Sequence, residues 1–272
     1  MSAERARTLA PFGRRVASVS AVRRLGAYTI LHCADAAGPR PDAGQFYMLA
    51  TETGWGGGAG QRPFLPRAFS VLRTGPEGEL QFLLEAVGPG TARLAELAPG
   101  EGLWLAGPFG LGFAPPPPGF SALLVGGGVG IAPLAIWGDQ LGPGPRVLLG
   151  FRGAAHARGA ELLPGAEVAT DDGSVGHAGP VTELLEAVLS AEPARWTVSA
   201  CGPAGMLEAV RALCARRAVP AQLALESGMA CGFGACFGCV VPTRDGLLRL
   251  CVDGPVLDGA RLEHVDHPGG AT

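Results

Sequence analysis

The sequence predicts a multidomain α/β plus β chain, with an N-terminal antiparallel β-barrel, a central parallel α/β unit and a small C-terminal unit built around cysteines. Three observations carry this. Short alternating segments fill residues 14 to about 106; strand-like and helix-like segments alternate after a proline run at 114–119; and four of the seven cysteines lie within the last 42 residues.

The β segments of the first part are RRVASVSAV (14–22), AYTILHC (27–33), GQFYMLA (44–50), AFSVLR (68–73), ELQFLLEAV (79–87) and GLWLAG (102–107), separated by glycine, proline and acidic turns. Alternation leaves each with one apolar face, and such faces close on one another as an antiparallel barrel or sandwich. TETGWGGGAGQRP (51–63) reads as a long flexible loop, longer than a hairpin needs, and APPPPG (114–119) as a stiff spacer. Beyond it, SALLVGG (121–127), RVLLG (146–150), AEVAT (166–170), WTVSA (196–200) and AQLALE (221–226) read as buried strands. IAPLAIWGDQL (131–141), VTELLEAVLS (181–190) and PAGMLEAVRALCARR (203–217) read as helices; the last aligns Met206, Leu207, Val210, Leu213 and Cys214, with Pro203 in its first turn. Strand and helix in alternation make a parallel, doubly wound sheet. Residues 226–272 match neither texture and hold two short strand-like pieces.

Composition excludes several classes. The formal charge of −3 is spread along the chain, which leaves no basic footprint for nucleic acid or an anionic membrane. No apolar run approaches the roughly 18 residues of a membrane span, and MSAERARTLAPFGRR lacks the apolar core of a secretory leader, so a cytoplasmic protein is expected. The mean hydropathy of +0.27 is high for such a chain and fits a buried subunit interface or simple glycine and alanine richness. With 44 glycines, a glycine motif counts only where a strand and a helix flank it.

Cys231, Cys236, Cys239 and Cys251 are spaced C-x4-C-x2-C-x11-C. That is the plant-type pattern for a [2Fe-2S] cluster, whereas zinc sites usually bring cysteines as two close pairs on separate knuckles. Gly232, Gly234 and Gly238 let the backbone wrap closely and aim N–H groups at the sulfurs. Cys33 and Cys214 read as buried small hydrophobes.

LLVGGGVGIAPL (123–134) sets a glycine turn (Gly126, Gly127, Gly128, Gly130) between a buried strand and a helix, a shape that admits a pyrophosphate to backbone N–H groups. SACGPAGM (199–206), with Cys201, Gly202 and Pro203, repeats it after a later strand, so a dinucleotide crevice is expected between the two. Cys201 has two readings, a group lying against a nicotinamide and a buried structural thiol. In PRAFS (66–70), alternation puts Arg67 and Phe69 on one face and Ala68 and Ser70 on the other. GPGT (88–91) has a glycine turn with Thr91 as helix N-cap candidate, another anion-binding shape. Asp171 and Asp172 in TDDGS fit ribose hydroxyls or a plain turn, and Arg152 fits a 2′-phosphate or solvent.

In this order, R-x-F-S and G-x-G-T on a barrel, V-G-G-G-V-G-I-A-P-L, C-G-P-x-x-M, MACGFGACFGC and CVDGPV (251–256) resemble the ferredoxin-reductase superfamily. More narrowly they resemble the electron-transfer subunits of NAD-dependent dihydroorotate dehydrogenases, over nearly the whole chain. The resemblance implies an FAD-binding barrel at 1–115, an NAD-binding α/β domain at 120–225 and a [2Fe-2S] domain at 226–272. It implies that Arg67, Ala68, Phe69 and Ser70 contact FAD, that Leu83, Leu84 and Glu85 form a further flavin-contacting stretch, and that Gly90 and Thr91 hold the phosphates. Gly126, Gly127, Gly128, Gly130, Cys201, Gly202 and Pro203 would face NAD, and the four cysteines would hold the cluster. The chain departs from the family at LPRAFS and at Leu84, where an aromatic is common.

A nicotinamide exchanges a hydride pair, a [2Fe-2S] centre single electrons, and a flavin either. The implied function is therefore a relay in pyrimidine biosynthesis, from an FMN-containing dihydroorotate dehydrogenase subunit through the cluster and FAD to NAD+, in a heterotetramer, with no catalytic residue for dihydroorotate on this chain. The competing readings are an NAD(P)H-dependent reductase component serving an oxygenase or hydrogenase, and a non-redox zinc-binding protein. If the cluster segment is independent, deleting 226–272 abolishes coupling to the partner and leaves NADH–flavin reduction intact.

Overall fold

Six strands close into a barrel because the side chains they turn inward are mostly apolar. They are β1 (Arg15–Leu25), β2 (Tyr28–Ala34), β3 (Phe46–Thr51), β4 (Arg67–Thr74), β5 (Glu79–Glu85) and β6 (Gly102–Phe109), hydrogen-bonded in the order β1-β2-β5-β4-β3-β6. This is a computed structural model, and it describes residues 13–56, 63–191 and 195–265; part of the 51–63 loop, both chain ends and residues 192–194 lie outside that range. All pairings in the barrel are antiparallel. Leu31, Leu49, Val71, Phe82, Leu84 and Leu103 fill its interior, and closure leaves no open sheet edge. A short helix, α1 (Pro89–Ala95), lies between β5 and β6. A buried ion pair supports the barrel: Arg15 Nε donates to Asp35 Oδ1 at 2.7 Å and its Nη2 to the Gly107 carbonyl at 2.6 Å.

The second part holds β7 (Ser121–Gly127), α2 (Ile131–Leu141), β8 (Arg146–Phe151), α3 (Ala154–Ala157), β9 (Glu167–Thr170), β10 (His177–Ala178), α4 (Val181–Ala191), β11 (Trp196–Cys201), α5 (Ala204–Arg216) and β12 (Ala221–Ala224). Its strands pair in parallel in the order β10-β9-β8-β7-β11-β12, as βαβ crossovers require. The first seven residues of α2, Ile131 to Trp137, are all buried. A helix apolar all round has neighbours on every side. Here Ile131, Ala132 and Ala135 pack with Tyr28, Ile30, Leu72 and Leu83 of the barrel, so α2 is the hinge plate between barrel and sheet.

After the second part come β13 (Val240–Thr243) and β14 (Gly246–Arg249), a hairpin, then α6 (Leu250–Asp253) and β15 (Val256–Asp258). The sequence predicts two strand-like pieces here; among the described residues there are three. β15 joins the parallel sheet as its last strand, antiparallel to β12, through Leu223↔Leu257 and its neighbours. A three-residue strand has too little pattern to be read alone; pairing with β12 makes it. Cys239, Val241, Leu250, Cys251 and Leu257 then share one core with Val198, Leu207 and Leu223 of the sheet and α5. Among the described residues no helix is long and apolar enough to cross a membrane.

Candidate functional site

A cleft of about 760 Å³ opens where the three parts meet. The barrel supplies Arg67, Ala68, Phe69 and Ser70 from β4 and Leu83 and Glu85 from β5. Strand alternation decides the second pair: Leu83 and Glu85 reach the cleft, while the side chain of Leu84 points into the barrel core, so only its backbone can serve an occupant. The start of α2 supplies Gly130, Ala132 and Pro133. The third wall is the segment Leu225 to Ala230, which ends one residue before Cys231.

At one end of the cleft the chain makes a cradle for an anion. A Cβ on Gly90 would sit 2.7 Å from Arg67 Nε, so glycine there is what lets the guanidinium lie across the start of α1. Arg67 Nη1 donates to the Leu65 carbonyl at 2.5 Å and its guanidinium stands 5.8 Å from the Trp55 ring centroid. A guanidinium and a helix N-terminus each favour an anion, so one placed between them is attracted by both. Thr91 is not the N-cap: Pro89 takes the first helical position and Gly88 caps, because proline's fixed φ suits that place. The Thr91 hydroxyl instead accepts from the Val87 and Gly88 N–H groups at 2.9 and 3.0 Å.

The two glycine turns touch. A Cβ on Gly130 would strike the Cys201 carbonyl and lie 2.6 Å from Gly202 N, and one on Gly127 would lie 2.6 Å from Met206 Sδ. Gly126 is confined less tightly, by methyl groups of Leu134 and Leu149 at 3.0 Å. Most of the glycine run is therefore consumed in packing one turn on the other. Gly128, with φ +54° and open space around it, is the member free to face a ligand. Cys201 is fully buried, and burial holds its thiol well above the ordinary value. Pro203 caps α5 from just outside it rather than sitting in its first turn. Asp172 Oδ1 accepts from the Ser174 N–H at 2.9 Å, the turn reading of TDDGS. Arg152 is 71% exposed.

The cysteine loop is wrapped as its glycines require. Gly232 (φ +80°) abuts Met48 and Phe109 of the barrel, and Gly234 (φ +91°) abuts Val252. Phe237 adopts a left-handed φ of 57° with no glycine to ease it. Arg249 holds this turn: its Nη1 donates to the Gly234 carbonyl at 3.1 Å and its guanidinium stacks 5.1 Å from the Phe237 ring centroid. Burial raises the Cys231 thiol, but hydrogen bonds centred on Cys236, Phe233 and Ala235 outweigh it and bring the thiol down to about 7. Cys239 Sγ lies 3.2 Å from Cys251 Sγ, and Cys251 is pushed up to about 12 by burial and by that neighbour. Among the described residues no three His, Cys, Asp or Glu groups converge on one metal position. The thiols stand as two pairs, Cys231 with Cys236 and Cys239 with Cys251. One pair for each iron is an arrangement that suits a two-iron centre held by four thiolates.

The sequence did not single out Arg249, Ser227 or Met48. Ser227 Oγ, on the cleft wall, is buried without a hydrogen-bond partner, the mark of a group awaiting one. With Arg67 across Gly90, it makes the cleft fit a flavin dinucleotide in its donor set.

A family model described as the iron-sulfur cluster binding domain of dihydroorotate dehydrogenase B matches residues 226–263. The dihydroorotate dehydrogenase B (NAD(+)), electron transfer subunit, of Bacillus caldolyticus is 40% identical over 207 residues, 71% of this chain and 78% of that protein. The protein of the same name from Clostridium perfringens is 32% identical over 231 residues, 82% of this chain and 87% of its own length. A solved NADH-dependent reduced ferredoxin-NADP oxidoreductase superposes with a TM-score of 0.77 at 24% identity, covering 93% of this chain and 92% of its own, which shows a shared fold.

Proposed function

We infer from the family to which this chain belongs, the electron transfer subunits of dihydroorotate dehydrogenase B, that it carries electrons between a dihydroorotate-oxidising partner and NAD+. The observation that carries this reading is the shared cleft: barrel strand, glycine turn and the lead-in to Cys231 line one cavity. When bound, FAD exchanges a hydride pair with a nicotinamide and single electrons with a [2Fe-2S] cluster.

The chain's own residues do the holding. Arg67 and the Gly90 approach take the FAD pyrophosphate, with the Thr91 hydroxyl fixing that turn; Ala68, Phe69 and Ser70 run along the flavin, and Leu83, the Leu84 backbone and Glu85 flank it. Ser227 supplies a hydroxyl from the opposite wall. Gly128 offers its backbone to NAD at the turn braced by Gly126, Gly127, Gly130, Cys201, Gly202 and Pro203. Cys231 and Cys236 take one iron, Cys239 and Cys251 the other. Residues 1–115, 120–225 and 226–272 serve as FAD, NAD and cluster domains, the last lending β15 to the second. Exposed Phe233 and Phe237 beside exposed Cys236 give an FMN-containing catalytic subunit an apolar docking rim, in a cytoplasmic heterotetramer.

The test is reconstitution with the catalytic subunit: the complex is expected to form NADH from dihydroorotate and NAD+, with neither subunit alone doing so. A complex that forms no NADH although FAD and iron are present would overturn the assignment and favour a reductase for another acceptor.

A further inference from the structure

Glu85 puts a carboxylate on the wall of a cleft read here as the seat of a dianionic dinucleotide, and the inference below rests on that reading. The side chain is only 16% exposed, so water does little to screen it, and an unpaired charge there would repel the pyrophosphate. The barrel, however, is not what pairs it. His156 Nε2 lies 3.1 Å and Arg152 Nη2 3.5 Å from Glu85 Oε1, and both residues come from the stretch after β8, across the boundary between barrel and parallel sheet.

The position of His156 is set by the barrel as well. Its ring stands edge-on to Tyr28, centroids 5.7 Å apart, and Tyr28 is the cross-strand partner of Glu85 in the β2–β5 ladder. The Ala27 N–H donates to the Ala155 carbonyl at 3.0 Å, one residue before His156. Gly26, in left-handed backbone at φ +57°, leaves no room for a Cβ against that same carbonyl. The β1–β2 turn thus docks on α3 and delivers His156 to Glu85.

We propose that His156, assisted by Arg152, is a positioning residue for the flavin cleft: seated on the barrel, the nucleotide-binding unit hydrogen-bonds Glu85 through His156 and sets the Arg152 guanidinium beside it, and the cleft takes FAD at full affinity only when that unit is docked. FAD affinity and packing between the two units are then coupled, and by linkage each strengthens the other.

The test measures FAD dissociation from the full-length holoprotein by flavin fluorescence, with melting temperature alongside. His156→Ala is expected to weaken FAD binding about tenfold, the scale of a hydrogen bond to a charged group. Arg152→Ala, at a mostly exposed position, is expected to weaken it roughly twofold. The diagnostic variant is the double substitution Glu85→Gln with His156→Ala: once the carboxylate is gone its partner is not needed, so affinity returns to within about twofold of Glu85→Gln alone. His156→Ala binding FAD as wild type does, or a double variant as weak as His156→Ala, would overturn the proposal. A wild-type protein that holds no FAD would overturn the cleft reading itself, a failure visible before any variant is made. Should His156→Ala not fold, His156→Phe, which keeps a ring against Tyr28 and removes the nitrogen that meets Glu85, decides with and without Glu85→Gln by the same cycle.

Discussion

The four cysteines differ in burial, and that difference separates ligand loss from packing loss. Cys236 is exposed whereas Cys239 and Cys251 are buried. Cys236→Ser is expected to remove most of the iron and acid-labile sulfide and leave FAD content unchanged. Unchanged iron content would show that Cys236 is no ligand. Among the glycines, Gly130→Ala drives a Cβ into the backbone of the neighbouring turn, which is expected to cost about 1–3 kcal/mol, read as a drop in melting temperature. Gly128→Ala meets open space and pays only for its left-handed backbone, about 1 kcal/mol, so it should melt higher than Gly130→Ala. The grouping of Cys231, Cys236 and Cys239 on one loop was legible because spacing alone encodes it. Arg249 and Ser227 were not, since what makes them matter is a carbonyl 15 residues away and the wall of a cavity.

At the scale of elements, β1 to β9, α2 and β11 were legible because period 2 or 3.6 runs long enough in each to be read, and α2 matches the predicted 131–141 span end to end. Two-residue β10, four-residue α3 and three-residue β15 carry too little pattern, and tertiary contacts decide them. For β15 this changes an expectation. Deleting 226–272 was expected to spare NADH–flavin reduction, yet it would strip the last strand from the parallel sheet, remove Leu257 and Leu262 from a shared core, and take away the cleft wall from Ser227 to Ala230. Loss of both the cluster and NADH–flavin reduction is therefore predicted, with an exposed β12 edge promoting aggregation. A truncated protein still reduced by NADH at the wild-type rate would contradict this. Arg249→Ala is a milder probe of the same region: it unclasps the Gly234 turn and should speed iron loss to a chelator severalfold without changing FAD content.

Taken whole, the molecule is three parts meeting at one cleft, and the meeting is what no single segment announces. The motifs of the barrel, the glycine turn and the cysteine loop lie up to about 165 residues apart in the chain, and only α2 seated between barrel and sheet, with β15 returning to the sheet, brings them to one cavity. That convergence is the account's central claim, because a relay needs its carriers side by side. The most direct test is the visible absorption spectrum of the purified protein before and after anaerobic NADH. The account predicts flavin bands over a broad iron-sulfur shoulder, both bleached by NADH; a colourless protein that retains zinc would contradict it.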